Sequence, residues 1–421
     1  METSKRKKVF YINCSPAGST GKIITDTAEE IKKSGWDSCF CFPSGEAKSG
    51  IFEKIYKTSL PFEQGILRRI TEMTGDSFGF APVSTARIIS ALKKEKPDVV
   101  HLHCINSHMV DVIKLISWLK NNKIPTVITN HCEMFYTGNC AHAYECEKWL
   151  TGCGNCGHLS DYLCGIKRDR TARCWQDMKK AFEGFERAVM TSVSPWVYER
   201  SSASPITAGI KQEIVTNGID TDVFCQSPDP ALRSKLKINE NAKIVLNVTA
   251  YFDLSGENRI HGENKGSKYV MELAEKLRDK NLVFVVAGSY YGVSKIPDNM
   301  RFLGRVNSRE ELAKIYSLAD LTLVTSRRET FGMSVAESLC CGTPVVGFRS
   351  GGSESVAIPG YSEFCDFGDS VALEGFVEKW INRKNNDLSS SEISESAKTK
   401  YDKRIMAEKY LKIYETLAVY R

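Results

Sequence analysis

Leu321 to Glu354, LTLVTSRRETFGMSVAESLCCGTPVVGFRSGGSE, decides how this chain is read. Its first residues, Leu321-Thr322-Leu323-Val324-Thr325, are a short apolar run rich in β-branched side chains, which predicts a buried strand. A polar turn, Ser326 to Thr330, follows, and Phe331-Gly332-Met333-Ser334 opens a helix. That helix is expected to stop at Cys341, because Gly342 suits the left-handed position after a helix and Pro344 cannot continue one. Val345-Val346-Gly347-Phe348 reads as the next strand. The result is one βαβ unit, with the loop after its first strand and the N-terminus of its helix at the carboxyl edge of a parallel sheet. Ligands of open α/β sheets bind at that edge, and a helix N-terminus offers N–H groups to an anion.

Two carboxylates sit in this unit, Glu329 in the turn and Glu337 on the helix, eight positions apart. Met333 to Glu337 is one helical turn, so Glu337 lies just below the amides of Gly332, Met333 and Ser334. A carboxylate repels phosphate but accepts two hydrogen bonds from a vicinal diol, as an acidic residue does with a ribose near a pyrophosphate. A lone pair of glutamates would read as solvated surface. The ordered strand, Gly turn, helix, Gly342-Thr343-Pro344 and Gly351-Gly352-Ser353-Glu354 read as a site. The run from Glu329 to Pro344 resembles the E-x7-E signature of the retaining glycosyltransferases of family four. That resemblance implies an α/β chain of the GT-B class, two Rossmann-like domains facing a central cleft. It also implies that Glu329 lies near the hydroxyls of a donor sugar and Glu337 on the nucleotide ribose. Phe331, Gly332, Met333 and Ser334 fall in the same donor-binding turn.

With 421 residues and 42% hydrophobic content, the chain has room for two or three domains with substantial cores. It has no run of eighteen apolar residues, and Met1 to Lys8 is polar and basic with no apolar stretch behind it, which argues against secretion and membrane spanning. The expected location is cytoplasmic. Fifteen cysteines in such a chain point to reduced thiols or a metal rather than a disulfide frame. The net charge of +6 includes clusters at Lys5-Arg6-Lys7-Lys8 and between Lys167 and Lys180. Solvated faces explain both, and contact with an anionic membrane carrying a lipid-linked acceptor is the alternative.

In the first half, Val9-Phe10-Tyr11-Ile12 reads as a strand ending in Asn13 to Gly21, with a helix beyond carrying Ile23, Ile24, Ala28 and Ile31 on one stripe. Gly18 and Gly21 sit where backbone amides approach a phosphate or sugar, although the spacing is not the dinucleotide G-x-G-x-x-G. Relatives of the family carry a similar loop. Val99 to His103, Thr126 to Thr129, Met190 to Val193 and Ile214-Val215 read as further strands, with helices at Met109 to Lys120 and Phe182 to Val189. His131 falls just past one strand end, where relatives place a His beside the donor sugar. Cys140, Cys146, Cys153 and Cys156 fall within seventeen residues, and Cys153-Gly154-Asn155-Cys156 is a knuckle whose glycine permits two thiolates to face one ion. A structural zinc and an unmetallated Cys-rich loop are both open, with Cys132, His142, His158 and Cys164 as spare ligands. A subset of polysaccharide-building relatives has a similar insertion with a Trp between the cysteines, as Trp149 is here. Asp220-Thr221-Asp222 spells a metal motif of another fold but follows a turn at the domain junction, so it reads as structural.

In the second half, Ile244 to Val248 restarts the strands, and Tyr251 to Asn264 reads as a polar loop. Helix Ser267 to Leu277 and strand Leu282 to Val286 come next, then a helix capped at Ser308 with Leu312, Ile315, Tyr316 and Ala319 on its stripe. Relatives use the Lys of a Lys-Gly pair to hold the donor's diphosphate. Lys265-Gly266 matches, while their Arg has no counterpart except Arg259, which lies in an insertion. Ser389 to Lys398 reads as a polar mobile stretch and Tyr401 to Tyr420 as a final helix. The expected domains are residues 1–225, with a Cys-rich insertion near 132–175 and the final helix near 401–421, and residues 226–400, which bind the donor.

The implied reaction moves a hexose-type sugar from a nucleotide-diphosphate sugar to a glycan or lipid-linked acceptor in capsule or exopolysaccharide assembly. Lys265, Glu329 and His131 are the candidate catalytic residues, with no catalytic metal. A nucleotide-sugar 2-epimerase shares the fold. A zinc module binding nucleic acid would leave the block from Glu329 to Glu354 unexplained, so no nucleic-acid partner is expected.

Overall fold

The computed structural model describes residues 6–76, 78–105, 108–159, 167–255, 263–383 and 389–419. Cys164, Arg259, Lys5 and Tyr420 lie outside them. The chain divides into two compact units, one of Met1–Gly218 with Arg404–Arg421, the other of Ile219–Lys403.

The first unit holds β1 (Lys8–Ile12), α1 (Gly18–Lys33), β2 (Asp37–Phe42), β3 (Lys54–Lys57), α2 (Glu63–Thr74), α3 (Pro82–Glu95), β4 (Val99–Leu102), α4 (Val112–Asn121), β5 (Thr126–Asn130), α5 (Thr171–Phe182), β6 (Ala188–Ser192), α6 (Pro195–Ala203) and β7 (Lys211–Ile214). Its seven strands run in the order β3-β2-β1-β4-β5-β6-β7, all parallel. Alternation along β1 sorts the two faces. Phe10 and Ile12 join Ile88, Leu92, Leu115, Leu119 and Met178 in one core, from α3, α4 and α5. Val9 and Tyr11 join Ile23, Ile24 and Ile31 of α1 with Met406, Tyr410 and Tyr414 of the C-terminal helix Lys403–Ala418 in the other.

The second unit holds α7 (Pro230–Lys235), β8 (Lys243–Asp253), α8 (Ser267–Lys276), β9 (Leu282–Tyr291), β10 (Met300–Gly304), α9 (Arg309–Leu318), β11 (Leu321–Val324), α10 (Met333–Cys340), β12 (Val345–Phe348), α11 (Gly352–Val356), β13 (Ser362–Cys365), α12 (Ser370–Ile381) and α13 (Ser390–Tyr401). Its six strands run β10-β9-β8-β11-β12-β13, the same doubly wound order, again all parallel. Both units are Rossmann-like, the pair of domains of which GT-B chains are made.

Several sequence expectations change. Phe182 closes α5 instead of opening a helix, and Glu183 to Arg187 turn into β6. β8 runs on to Asp253, pairing Tyr251-Phe252-Asp253 with Ser289-Tyr290-Tyr291, so the expected loop begins later. Ser389 to Lys398 is not mobile coil: Ser389 caps α13, which buries Ile393, Ser394 and Ala397. The final helix breaks at Asp402, which bonds Thr221. Asp220 pairs with Arg309 at 3.1 Å and Lys403 at 3.2 Å, in keeping with a structural reading of the Asp220-Asp222 motif. Among the described residues no helix is long and apolar enough to cross a membrane.

Candidate active site

In the second unit the turn after β11 is held by its neighbours. The Glu329 amide donates to the Ser350 carbonyl at 3.0 Å and the Gly352 amide returns a bond to the Glu329 carbonyl at 2.8 Å. Glu354 locks the partner loop by accepting from the Ser350 and Gly351 amides at 2.8 and 2.9 Å. That is a role the sequence did not give it. Lys265 enters from the other side. Its carbonyl accepts from Thr325 Oγ1 at 2.9 Å, and Gly266 lies so close that a Cβ would stand 2.1 Å from the Thr325 carbonyl oxygen. Gly266 also has φ +65°, so only glycine fits there without strain.

This approach puts Lys265 Nζ 2.6 Å from Glu329 Oε1, with each side chain about a quarter exposed at 25% and 23%. Gly332, at φ +82°, caps α10 with no side-chain hydrogen bond, and Met333 and Ser334 in its first turn are partly exposed. Phe331 instead turns inward, 2% exposed with its ring 6.0 Å from that of Tyr401. Glu337, one turn along, is partly exposed and accepts from the Tyr316 hydroxyl at 3.2 Å. A cation, a carboxylate and a helix N-terminus thus border one sheet edge. Such a set can neutralise phosphate and accept hydroxyl protons.

The first unit places its predicted residues at the matching edge. Asn13 fastens the β1–α1 loop, donating to the Ser15 carbonyl at 2.6 Å and Thr20 Oγ1 at 3.0 Å, and accepting from the Cys104 amide at 3.0 Å. Gly18 opens α1 at φ +75°, and a Cβ on Gly21 would meet the Pro16 carbonyl oxygen at 2.4 Å. His131 follows β5, with its Nε2 2.9 Å from Nδ1 of His103 and the rings stacked at 5.2 Å. Burial pushes the His131 imidazole down to about 3, and burial likewise lowers His103 and His101 well below the usual histidine value. These imidazoles are therefore neutral near pH 7. The sequence reading missed His103; its position two residues after His101, at the end of the strand beside β5, was the available signal.

Cys140, Cys146, Cys153 and Cys156 line one cavity of about 20 Å³ together with Trp149 and His158. The knuckle turns through left-handed backbone at Cys153, Gly154 and Asn155, and the His158 amide donates to Cys156 Sγ at 3.4 Å. Trp149 anchors the loop, donating to the Cys146 carbonyl at 2.9 Å while the Arg200 guanidinium stacks 4.7 Å above it. Arg200 in turn pairs with the fully buried Glu133 at 2.8 Å. Among the described residues, the ligand atoms that gather within 4.8 Å of one another in a set of three are those of Cys39, Glu53 and Glu95. Lys8 and Lys54 already neutralise Glu95, at 2.9 and 3.0 Å. The four loop sulfurs share a cavity without reaching that spacing.

Residues 20–223 match the family model described as Glycosyltransferase Family 4, and residues 229–400 the one described as Glycosyl transferases group 1. The chain therefore carries two glycosyltransferase domains, one in each half. It is 21% identical to the putative colanic acid biosynthesis glycosyl transferase WcaC of Escherichia coli over 328 residues, 76% of this chain and 77% of that protein. It is also 24% identical to the N-acetyl-alpha-D-glucosaminyl L-malate synthase of Bacillus anthracis over 213 residues, 49% of this chain and about half, 52%, of that protein's length. Among solved structures, a sucrose-phosphate synthase from Thermosynechococcus elongatus superposes with TM-score 0.66 at 16% identity, covering 99% of this chain and all of that one. Anabaena HepE in complex with UDP and glucose superposes with TM-score 0.64 at 14% identity, covering 97% of this chain and 100% of that one.

Proposed function

We propose that this protein is a retaining, nucleotide-sugar-dependent glycosyltransferase that passes a hexose-type sugar to a glycan or lipid-linked acceptor during polysaccharide assembly. The contact of 2.6 Å between Lys265 and Glu329 carries this reading, because it sets a cation and a hydroxyl acceptor side by side at one sheet edge. Negative charge develops on the departing diphosphate as the glycosyl bond breaks. Lys265 opposes that charge directly, and the amides of Met333 and Ser334 add fixed dipoles. Glu337 accepts from the ribose diol and Glu329 from sugar hydroxyls. His131, neutral, offers the sugar a hydrogen bond without a charge. As the resemblance to the retaining family implies, the acceptor hydroxyl attacks from the face the diphosphate leaves. Its oxygen bonds to the anomeric carbon as the bond to the diphosphate breaks, its proton passes to the departing phosphate oxygen, and configuration is kept without a covalent intermediate. The WcaC relative supports a polysaccharide setting, and the complex of HepE with UDP makes a uridine donor the first to try.

In the same reading the four loop cysteines hold a structural zinc, which requires their sulfurs to draw together. Metal content of protein purified without chelator decides this; a zinc-free, fully active and equally stable preparation leaves a plain thiol-lined loop.

The reaction is tested by screening nucleoside-diphosphate sugars for thermal stabilisation, then assaying diphosphate release with and without acceptor. Release that needs acceptor, and is lost in Lys265→Ala, supports transfer. A changed sugar epimer formed without acceptor would identify an epimerase instead.

A further inference from the structure

Large apolar side chains left in water are few, and they are not scattered. Among the described residues fourteen such side chains are exposed, and six of them, Leu60, Phe62, Ile66, Met73, Phe80 and Val83, lie between positions 60 and 83. Helix α2 runs through this stretch with two apolar sides. Leu67 and Thr71 face inward and are buried. Phe62, Ile66 and Met73, at helical spacing with half-buried Ile70 between, form an outer row that is 87%, 59% and 63% exposed. Phe62 and Phe80 sit in left-handed backbone at φ +66° and +64°, where a bulky residue is strained. A soluble surface gains nothing from strain that holds two phenyl rings in water.

Cations flank this row. Arg69 is exposed beside it, and Arg68, with its side chain 72% exposed, adds a second guanidinium that pairs with its own helix neighbour Glu72 at 2.9 Å. Lys57 precedes it, exposed. At the far end a Cβ on Gly75 would stand 2.1 Å from the Arg168 carbonyl oxygen, so the exposed pair Lys167 and Arg168 borders the helix terminus. Two nearby acids are engaged by backbone amides. Glu63 accepts from the Leu60 and Ser84 amides, and Asp76 from the Phe78 and Gly79 amides.

We propose that α2 and its flanks form a docking surface for an anionic lipid bilayer. An apolar row with aromatic and methionine side chains, rimmed by arginine and lysine, suits the boundary between acyl chains and phosphate headgroups. The rings enter that boundary, and the guanidinium and ammonium groups meet lipid phosphates. The surface lies wholly in the first unit and needs none of the sugar chemistry, so binding and transfer fail separately.

The test is co-sedimentation of the full-length protein with vesicles of phosphatidylcholine alone and of phosphatidylcholine with phosphatidylglycerol. Binding is expected to the anionic vesicles, at least tenfold weaker to the neutral ones, and reduced by salt. The triple variant Phe62→Ser, Ile66→Ser, Met73→Ser is expected to lose at least tenfold in binding while melting as the parent does, since all three side chains are exposed. Arg68→Gln with Arg69→Gln is expected to flatten the salt dependence. In Phe62→Trp, the indole emission is expected to shift to the blue with anionic vesicles. Absence of binding, or binding that the triple variant retains, overturns the proposal. So does a parent dimer, seen by light scattering, that the triple variant dissociates, because a second copy would then be the occupant.

Discussion

The two units wind their strands in the same order and yet present different chemistry at the carboxyl edge. The second sets out charge: Lys265 against Glu329, Glu337 one helical turn from the cap of α10, and Glu354 spent on backbone amides. The first presents neutral groups. Asn13 ties its loop, and His131 leans on His103 with both imidazoles held uncharged by burial. The fold fixes where a ligand meets the sheet, and the residues at the strand ends fix which ligand. A diphosphate suits the charged edge; a hydroxyl-rich sugar or acceptor suits the neutral one.

The largest effect should come from removing the cation proposed to face the leaving group. Lys265→Ala is expected to cost about 3–4 kcal/mol of transition-state stabilisation, roughly a hundred- to a thousandfold in kcat, with the fold intact by circular dichroism. Glu337→Gln tests the diol contact on the same edge. It should weaken nucleotide binding by about 1.5–3 kcal/mol, read as loss of the thermal shift that nucleotide induces. Unchanged activity in either variant would break the contrast between the two edges.

Gly266→Ala separates architecture from charge, since it leaves Lys265 in place but drives a Cβ into the Thr325 carbonyl. We expect a loss of about 1–3 kcal/mol in stability, measured by denaturant titration. The neutral edge makes a different prediction. Its histidines have folded values far below the unfolded value of about 6.5, so the unfolded chain takes up protons first as pH falls. Their contribution to stability is complete above about pH 6.5 and drains away below it. The activity profile should therefore show no ionisation of His131 between pH 6 and 8. Smallest of all, His131→Ala should cost about 0.5–1.5 kcal/mol in kcat/KM, the worth of one neutral hydrogen bond.

Much of the charged edge was legible beforehand, and little of the neutral one. Strand, glycine turn, helix, glycine and proline follow one another in sequence from Leu321 to Phe348, so local rules sufficed to read them. His103 and His131 are paired across neighbouring strands, and nothing within either segment announces the other. The stretch from Ser389 looked like coil because polar residues dominate it, yet Ile393, Ser394 and Ala397, with Tyr401 at its end, are buried and pack α13. Helix α2 was silent for a related reason: its apolar residues fall on both sides, and only solvent exposure tells which side is core.

The chain's own spelling determined the periodicities, the turns and the spacing from Glu329 to Glu337, because these depend on backbone preferences acting over a few residues. Tertiary structure alone decided that Lys265 reaches Glu329 across 64 positions, that Glu354 braces a loop, and that the C-terminal helix lies against the first sheet. Those outcomes follow from parallel register and close packing, which bring together side chains that no local pattern connects.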